Sequence, residues 1–121
     1  MGATVGVDLL EIARLERALE RHPRLAERVF TGAELDYAVA RRRPGRHLAA
    51  RFCAKEAAVK ALGTGPFGLR DVEVVGSEPP RLRLSGAAED AARDRGVQLE
   101  VSLSHAREMA VAVVVASART A

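Results

Sequence analysis

Charged side chains interrupt a stretch that otherwise has the composition of a buried helix. Residues 51–63, RFCAKEAAVKALG, carry four charges, while at about 100° per residue their large apolar side chains share one face and their alanines cover the opposite one. A helix that is apolar nearly all round is normally buried, and buried charges require partners, metals or ligands. Lys55 points into the large apolar face, and Glu56 and Lys60 lie together at its edge. The helix carries part of a site or, as the ordinary alternative, an i,i+4 ion pair on a half-exposed surface.

A second acid in an apolar setting is Asp8, within Val-Gly-Val-Asp-Leu-Leu. Val5, Val7 and Leu9 alternate with polar or small residues, so we expect a first strand that delivers Asp8 at its end, next to a helix that it can also cap. Together with Glu56 it offers two carboxylates from separate elements. That pair suits Mg²⁺, which keeps several waters and binds one or two carboxylates plus substrate phosphates.

Serine and histidine side chains follow one another in Ser102-Leu103-Ser104-His105, at the end of an alternating strand. Their hydroxyl and imidazole donors suit a phosphate. A serine nucleophile with a histidine base is the competing chemistry, but adjacent residues at a strand end project in different directions and no glycine turn accompanies them. An exposed turn histidine is the third interpretation. His22 and His47 lie in arginine-rich sequence, where we expect solvated side chains rather than zinc ligands.

Arginines form a basic stripe on the first predicted helix, at positions 14, 17 and 21. Arg17 and Arg21 are like charges four residues apart, an arrangement that destabilises an isolated helix by a few tenths of a kcal/mol. Its presence favours an anionic partner such as an acidic protein. A plain solvated face is the alternative, since Glu16 and Glu20 lie nearby.

Composition narrows the class of protein. The chain has 121 residues, a net charge of +3, no Trp, one Tyr and three Phe, so a platform that stacks single-stranded nucleic acid is hard to build. No zinc-finger or helix-turn-helix signature is present. The longest apolar stretch, residues 109–118, is too short to span a bilayer, and no charged leader precedes an apolar run, so we expect an intracellular, cytoplasmic protein without membrane contact. The single cysteine, Cys53, is expected in the core.

The other patterns along the chain predict the elements that must position these residues. They are a helix ending before Pro23, a short helix capped by Thr31 and Glu34 that runs to about Ala40, the long helix ending at Gly63, a loop over 64–68, strands over 71–75 and around Leu82 and Leu84, a helix capped by Ser85 that ends near Gly96, and strands over 97–103 and 110–115. The last two strands should pair as a hairpin. The prediction is one α+β domain over residues 1–121, with an antiparallel sheet packed against the long central helix and shorter helices.

The ordered set of motifs resembles the holo-acyl-carrier-protein synthases, the compact bacterial 4′-phosphopantetheinyl transferases. The motifs are Gly6-Val7-Asp8 with Arg14, Thr31-Gly32-Ala33-Glu34-Leu35, residues 51–63 followed by Thr64-Gly65, and Ser102-Leu103-Ser104-His105 before an apolar strand. The resemblance covers nearly the whole chain. It implies transfer of the phosphopantetheine arm of coenzyme A to a serine of apo acyl carrier protein, with release of adenosine 3′,5′-bisphosphate.

The resemblance also implies residue roles. Asp8 and Glu56 match Mg²⁺ ligands, Lys60 matches the lysine that neutralises the pyrophosphate, and these three would carry catalysis. Arg51, Ser104 and His105 match positions that hold coenzyme A phosphates, and Arg14 and Arg21 match the helix that docks the acidic helix of the carrier protein. Glu56 or a water relaying to a carboxylate would be the base.

The family further implies a homotrimer with active sites at the subunit boundaries. Larger relatives carry a third acid where this chain has Leu10, which excludes a carboxylate ligand there. Two other functions stay open at this point. One is a non-catalytic basic module that binds RNA or an acidic protein through its arginines, and the other is a hydrolase built on Ser104 and His105.

Overall fold

Helices and antiparallel strands follow the order that the sequence predicts, with one additional helix. The structure, a computed structural model, describes residues 2–63, 65 and 68–120. Its elements are β1 (Thr4–Glu11), α1 (Ile12–Arg21), α2 (Leu25–Val29), α3 (Gly32–Val39), α4 (Pro44–Leu62), a 3-10 helix (Leu69–Asp71), β2 (Val72–Val75), β3 (Arg81–Leu84), α5 (Gly86–Arg95), β4 (Val97–His105) and β5 (Met109–Ala118). The α+β class is confirmed. Within the described ranges, no helix combines the length and apolar character needed to cross a bilayer.

The long helix α4 packs against a three-stranded antiparallel sheet of order β1-β5-β4, while β2 and β3 form a separate hairpin. Small side chains permit a close approach. A Cβ on Gly6 of β1 would lie only 1.9 Å from the carbonyl oxygen of Ala57, so this contact requires glycine. Buried alanines continue it: Ala54, Ala57, Ala58 and Ala61 of α4 and Ala110, Ala112 and Ala116 of β5. The backbone of β1 therefore lies beside the turns of α4 that carry Glu56 and Lys60.

The first strand differs from the prediction in two ways. It continues to Glu11, so the expectation that Asp8 ends the strand or caps the helix is wrong; Glu11 occupies the N-cap of α1. Its valine and leucine face is also the outer one, with Val5, Val7 and Leu9 61%, 52% and 62% exposed. The opposite face, with Gly6 and Asp8, turns toward α4, because only the glycine face can approach that helix closely.

Helix ends follow the local sequence signals in most places. The capping box of Thr31 and Glu34 is formed, Gly63 ends α4 in the left-handed region at φ 68°, and β4 and β5 form the expected hairpin. Three details were not predicted: α2 follows Pro23, a 3-10 turn precedes β2 where a strand was expected from residue 71, and Ser85 precedes α5 without a side-chain capping bond. Of the predicted loop over 64–68, residues 64, 66 and 67 lie outside the described residues.

Lys55, whose partner the sequence did not reveal, is fully buried in an ion pair with Glu34 at 2.7 Å. Its Nζ also donates to the carbonyl oxygens of Leu69 at 3.0 Å and Val72 at 2.7 Å. Glu34 in turn accepts a hydrogen bond from the backbone N–H of Val74 at 2.8 Å. This network joins α3, α4 and β2, and it satisfies the buried charge within the fold.

Candidate active site

The acids predicted to form a site lie together where β1 crosses α4. Asp8 and Glu56 line the same cavity, and Lys60 holds Asp8, since its Nζ donates to Asp8 Oδ1 at 3.2 Å and to the carbonyl oxygen of Val7 at 2.9 Å. Partial burial raises the pKa of Glu56, and the nearby Asp8 carboxylate raises it further, while Lys60 opposes the shift. Two carboxylates thus share one small region with a single exposed ammonium group, an arrangement that an additional cation would stabilise.

A cavity of about 420 Å³ opens beside these groups. It is lined by Asp8, Glu56 and Arg14 together with apolar side chains that include Leu15, Leu25 and Phe52, and it is called here the carboxylate cavity. Among residues 2–63, 65 and 68–120, no group of three or more His, Cys, Asp or Glu side chains is placed to hold a metal. The donor set nevertheless fits Mg²⁺, because that ion commonly takes one or two carboxylates and completes its shell with water and substrate phosphate.

A second cavity, also about 420 Å³, contains the other predicted phosphate ligands. It is called here the arginine cavity. Its polar lining residues are Tyr37, Arg41, His47, Arg51, Ser77, Glu78, Ser104 and His105. Arg51 is only 3% exposed, and its Nε is buried without a hydrogen-bond partner in the described part of the chain. Burial lowers the pKa of Arg51, but the guanidinium stays charged because its ordinary pKa is above 12. The cavity therefore presents an incompletely paired cation to an anion.

Three residues of this cavity were missed at the sequence level. Tyr37 and Arg41 are four residues apart and stack, with the Arg41 Cζ 3.4 Å from the ring centroid. The expectation of a solvated His47 is wrong, because its ring packs edge-on against Tyr37 at 5.9 Å and against His105 at 5.3 Å. Burial, followed by neighbouring cations, lowers the pKa of His47, and burial also lowers the pKa of His105. The i,i+4 spacing of Tyr37 and Arg41 was the available signal.

Register places the two cavities at opposite edges of the sheet. Asp8 pairs with Ala112 of the central strand β5, and His105 pairs with Ala110. From ordinary strand spacing and rise, the backbones at Asp8 and His105 are about 12 Å apart. Helix α4 contributes to both cavities, since Arg51 and Glu56 differ by about 7.5 Å along its axis. The predicted site is thus present as two polar regions carried by one helix.

The basic stripe of α1 is exposed as predicted and continues beyond it. Arg14 lines the carboxylate cavity, while Arg21 lines a neighbouring depression together with Arg24 and Arg28, which sequence reasoning did not single out. Leu25 lines both depressions, so they adjoin each other. A basic surface therefore leads directly to the paired carboxylates.

Similarity to known proteins agrees with this arrangement. Residues 4–114 match the ACPS family, described as the 4′-phosphopantetheinyl transferase superfamily. The holo-[acyl-carrier-protein] synthase of Moorella thermoacetica is 50% identical over 89% of this chain and 88% of its own. The structure resembles the Chronobacterium ammoniagenes ACPS-CoA complex with a TM-score of 0.85 and 30% identity, covering 99% of this chain and all of the other.

A Bacillus anthracis holo-(acyl-carrier-protein) synthase in complex with CoA (3′,5′-ADP) gives a TM-score of 0.78 at 32% identity, with 96% of each chain covered. A family match over most of the chain and relatives at these identities leave one assignment. The chain belongs to the 4′-phosphopantetheinyl transferase superfamily, as a member of its holo-[acyl-carrier-protein] synthases.

Proposed function

We propose that the protein transfers the 4′-phosphopantetheine arm of coenzyme A to a serine of apo acyl carrier protein. The serine oxygen attacks the β-phosphorus, the bond from that phosphorus to the bridging oxygen breaks, and adenosine 3′,5′-bisphosphate leaves. The observation that carries the proposal is a basic surface next to two neighbouring carboxylates, in a chain 50% identical to a holo-[acyl-carrier-protein] synthase. The alternatives of an RNA-binding module and a Ser-His hydrolase have no comparable support.

Asp8 and Glu56 are the proposed Mg²⁺ ligands, and the bound ion would supply charge neutralisation at the pyrophosphate. Lys60 holds Asp8 in place and, being 55% exposed at its side chain, can reach a phosphate oxygen as well. Glu56 is also the proposed base for the carrier serine, because its carboxylate lines the cavity next to the proposed docking surface; a water that relays the proton to a carboxylate is the other candidate. Most of the catalysis then comes from positioning and from charge stabilisation around the phosphorus.

Acyl carrier protein is proposed to dock on the basic surface of α1 and α2. Arg14 and Arg21 would pair with acids of the carrier, and Arg24 and Arg28 extend the same charge. The apolar wall formed by Leu25 and Phe52 can receive an apolar side chain next to the attacking serine. Docking there would bring the serine to the carboxylates.

Coenzyme A is proposed to occupy the arginine cavity through its phosphates, with Arg51, Ser104 and His105 as ligands.

The chain is proposed to form one transferase domain, to assemble as a homotrimer and to act in the cytoplasm. Support for assembly comes from the outer sheet face, where exposed Val5, Val7 and Leu9 of β1 pair in register with Val115, Val113 and Val111 of β5. A second copy would remove this continuous apolar stripe from water. We propose that each active site of this trimer lies at a subunit boundary and uses residues of two chains.

The function is tested by incubating the protein with coenzyme A, MgCl₂ and apo acyl carrier protein and measuring the carrier's mass. We expect addition of one phosphopantetheine, loss of the product in EDTA and its recovery on adding Mg²⁺. Product formation that persists in EDTA would contradict the metal assignment. Steeply salt-dependent RNA binding without any use of coenzyme A would instead favour the basic-module alternative.

Shared active sites are tested by mixing two inactive variants, Glu56→Gln and His105→Ala, after mild dissociation and reassembly. If each site draws the carboxylates from one chain and the arginine cavity from another, mixed trimers contain intact sites and activity returns. A mass measurement by light scattering gives the assembly state in parallel. No recovery in mixed trimers would show that each chain builds its own site.

A further inference from the structure

Two arginines sandwich the ring of Tyr37. The Cζ atoms of Arg41 and Arg51 lie 3.4 Å and 3.7 Å from its centroid. Carbon atoms in contact are about 3.5 Å apart, so each Cζ must lie almost directly above the ring. Two guanidinium groups cannot occupy the same position, and they therefore stack on opposite faces.

The ring is held on its edge as well as on its faces. His47 meets it at an interplanar angle of 75°, and His105 meets His47 at 83°. Arg41 is further fixed by a hydrogen bond from its Nη1 to the carbonyl oxygen of Tyr37 at 2.7 Å. Tyr37, a residue of α3, thus contacts both guanidinium groups and the histidine that leads to β4.

Neither guanidinium is neutralised by an acid. In the described part of the chain, Arg41 and Arg51 take part in none of the ion pairs, and Glu78, which also lines the cavity, pairs with neither. Two like charges are therefore held near each other by the two faces of a single aromatic ring, whose negative quadrupole attracts both. Such a pair fits a doubly charged group better than a singly charged one.

We propose that Tyr37 is a positioning residue that orients Arg41 and Arg51 toward a phosphate monoester, the 3′-phosphate of coenzyme A. A monoester carries nearly two negative charges at neutral pH, whereas each phosphate of the pyrophosphate diester carries one. The ring fixes the spacing of the two cations before the donor binds, which lowers the ordering cost of binding. This inference rests on the proposed use of coenzyme A.

The test compares coenzyme A with 3′-dephospho-coenzyme A as donors for Tyr37→Leu and Tyr37→Phe. Loss of the ring in Tyr37→Leu should raise KM for coenzyme A about tenfold, as expected for two cation–π contacts that fix the arginines. It should leave kcat and the KM for the dephospho donor nearly unchanged. Tyr37→Phe keeps both ring faces and removes only the hydroxyl, which also interacts with Arg51, so its KM for coenzyme A should rise much less than that of Tyr37→Leu.

Controls keep the outcomes distinct. Val39→Ala alters an exposed residue of the same helix and should leave KM unchanged for both donors. Equal losses with both donors, no loss with coenzyme A, or a Tyr37→Phe variant as impaired as Tyr37→Leu would each overturn the proposal. If Tyr37→Leu fails to fold, Arg41→Gln, at an exposed position, is used instead. It should raise KM for coenzyme A and not KM for the dephospho donor. Failure of the unmodified protein to use either donor would overturn the proposed function instead.

Discussion

The two lysines of α4 form ion pairs with opposite characters. Lys55 is fully buried, pairs with Glu34 at 2.7 Å and donates to two backbone carbonyls, so its ammonium hydrogens are all used inside the fold. Lys60 is 55% exposed at its side chain and pairs with Asp8 at 3.2 Å, and Asp8 and the nearby Glu56 both line the carboxylate cavity. One pair is closed and the other is open to a further ligand.

The difference teaches how to separate structural from functional charge in a helix of this kind. Burial lowers the pKa of Lys55, and the Glu34 carboxylate opposes that shift, as expected for a pair that stabilises only itself. Around Lys60 only Asp8 is paired, and Glu56 has no ion-pair partner among the described residues. The open pair, next to this free carboxylate, is the one expected to act in catalysis, and the closed pair the one expected to act in stability.

The largest expected effect is on the open side, with Glu56→Gln. Loss of the proposed base should lower the transfer rate by about 10²- to 10⁴-fold. The free energy of unfolding should hold or rise slightly, because burial and Asp8 both disfavour the charged form of Glu56 in the folded state. Initial rates on apo carrier protein and urea denaturation measure the two quantities. Asp90→Asn, at an exposed acid of α5, is the matched control, and a Glu56→Gln variant of full activity would contradict the assignment.

Next in size is the closed pair, with Lys55→Met. The change leaves Glu34 buried without its cation and should lower the free energy of unfolding by about 3–5 kcal/mol. The double variant Lys55→Met/Glu34→Gln should recover part of that loss, because no uncompensated charge is left inside. Urea denaturation of both variants provides the comparison. A double variant no more stable than the single one would show that the pair does not act as a unit.

A smaller effect is expected for Lys60→Met. Removing one phosphate-facing cation should lower kcat by about 10- to 100-fold, whereas the free energy of unfolding should change by less than about 1 kcal/mol, as for other exposed ion pairs. Steady-state kinetics and thermal unfolding test the two parts separately. Arg83→Met removes an equally exposed pair with Glu73, far along the chain, and should leave kcat unchanged. Equal losses of kcat in Lys60→Met and Arg83→Met would show that the effect of Lys60 is not specific to the open pair.

Local signals were sufficient for much of the fold. The Thr31–Glu34 capping box, the left-handed Gly63 and the β4–β5 hairpin depend on residues close in sequence, and each is present. The buried face of β1 could not be read in this way. Val5, Val7 and Leu9 favour burial by themselves, but the contact of Gly6 with Ala57 decides the orientation, and that contact joins residues 51 positions apart.

The candidate site shows the same division. Asp8, Glu56 and Lys60 stood out because charges interrupted apolar patterns, and the structure brings them together. Tyr37 and His47 did not stand out, since an aromatic residue or a histidine in polar sequence is unremarkable until its neighbours in space are known. Their role depends on stacking between α3, α4 and β4, which no spacing along the chain displays.

The smallest expected effect is that of replacing Cys53, a buried residue of α4, which carries the two lysine pairs. Burial, then the Asp8 and Glu56 carboxylates, raise the pKa of this thiol to about 12, so it is neutral at pH 7 and should resist iodoacetamide. Cys53→Ala should keep full activity and lose about 1 kcal/mol of stability at pH 7 from reduced packing. Because the unfolded thiol loses its proton near pH 9 and the folded one does not, the natural chain should lose stability relative to Cys53→Ala by about 1.4 kcal/mol per pH unit above that point. Urea denaturation of both at pH 7 and pH 10 measures the change. A stability difference that stays constant with pH would show that the folded thiol titrates like the unfolded one. Cys53 would then be open to solvent rather than buried in the core.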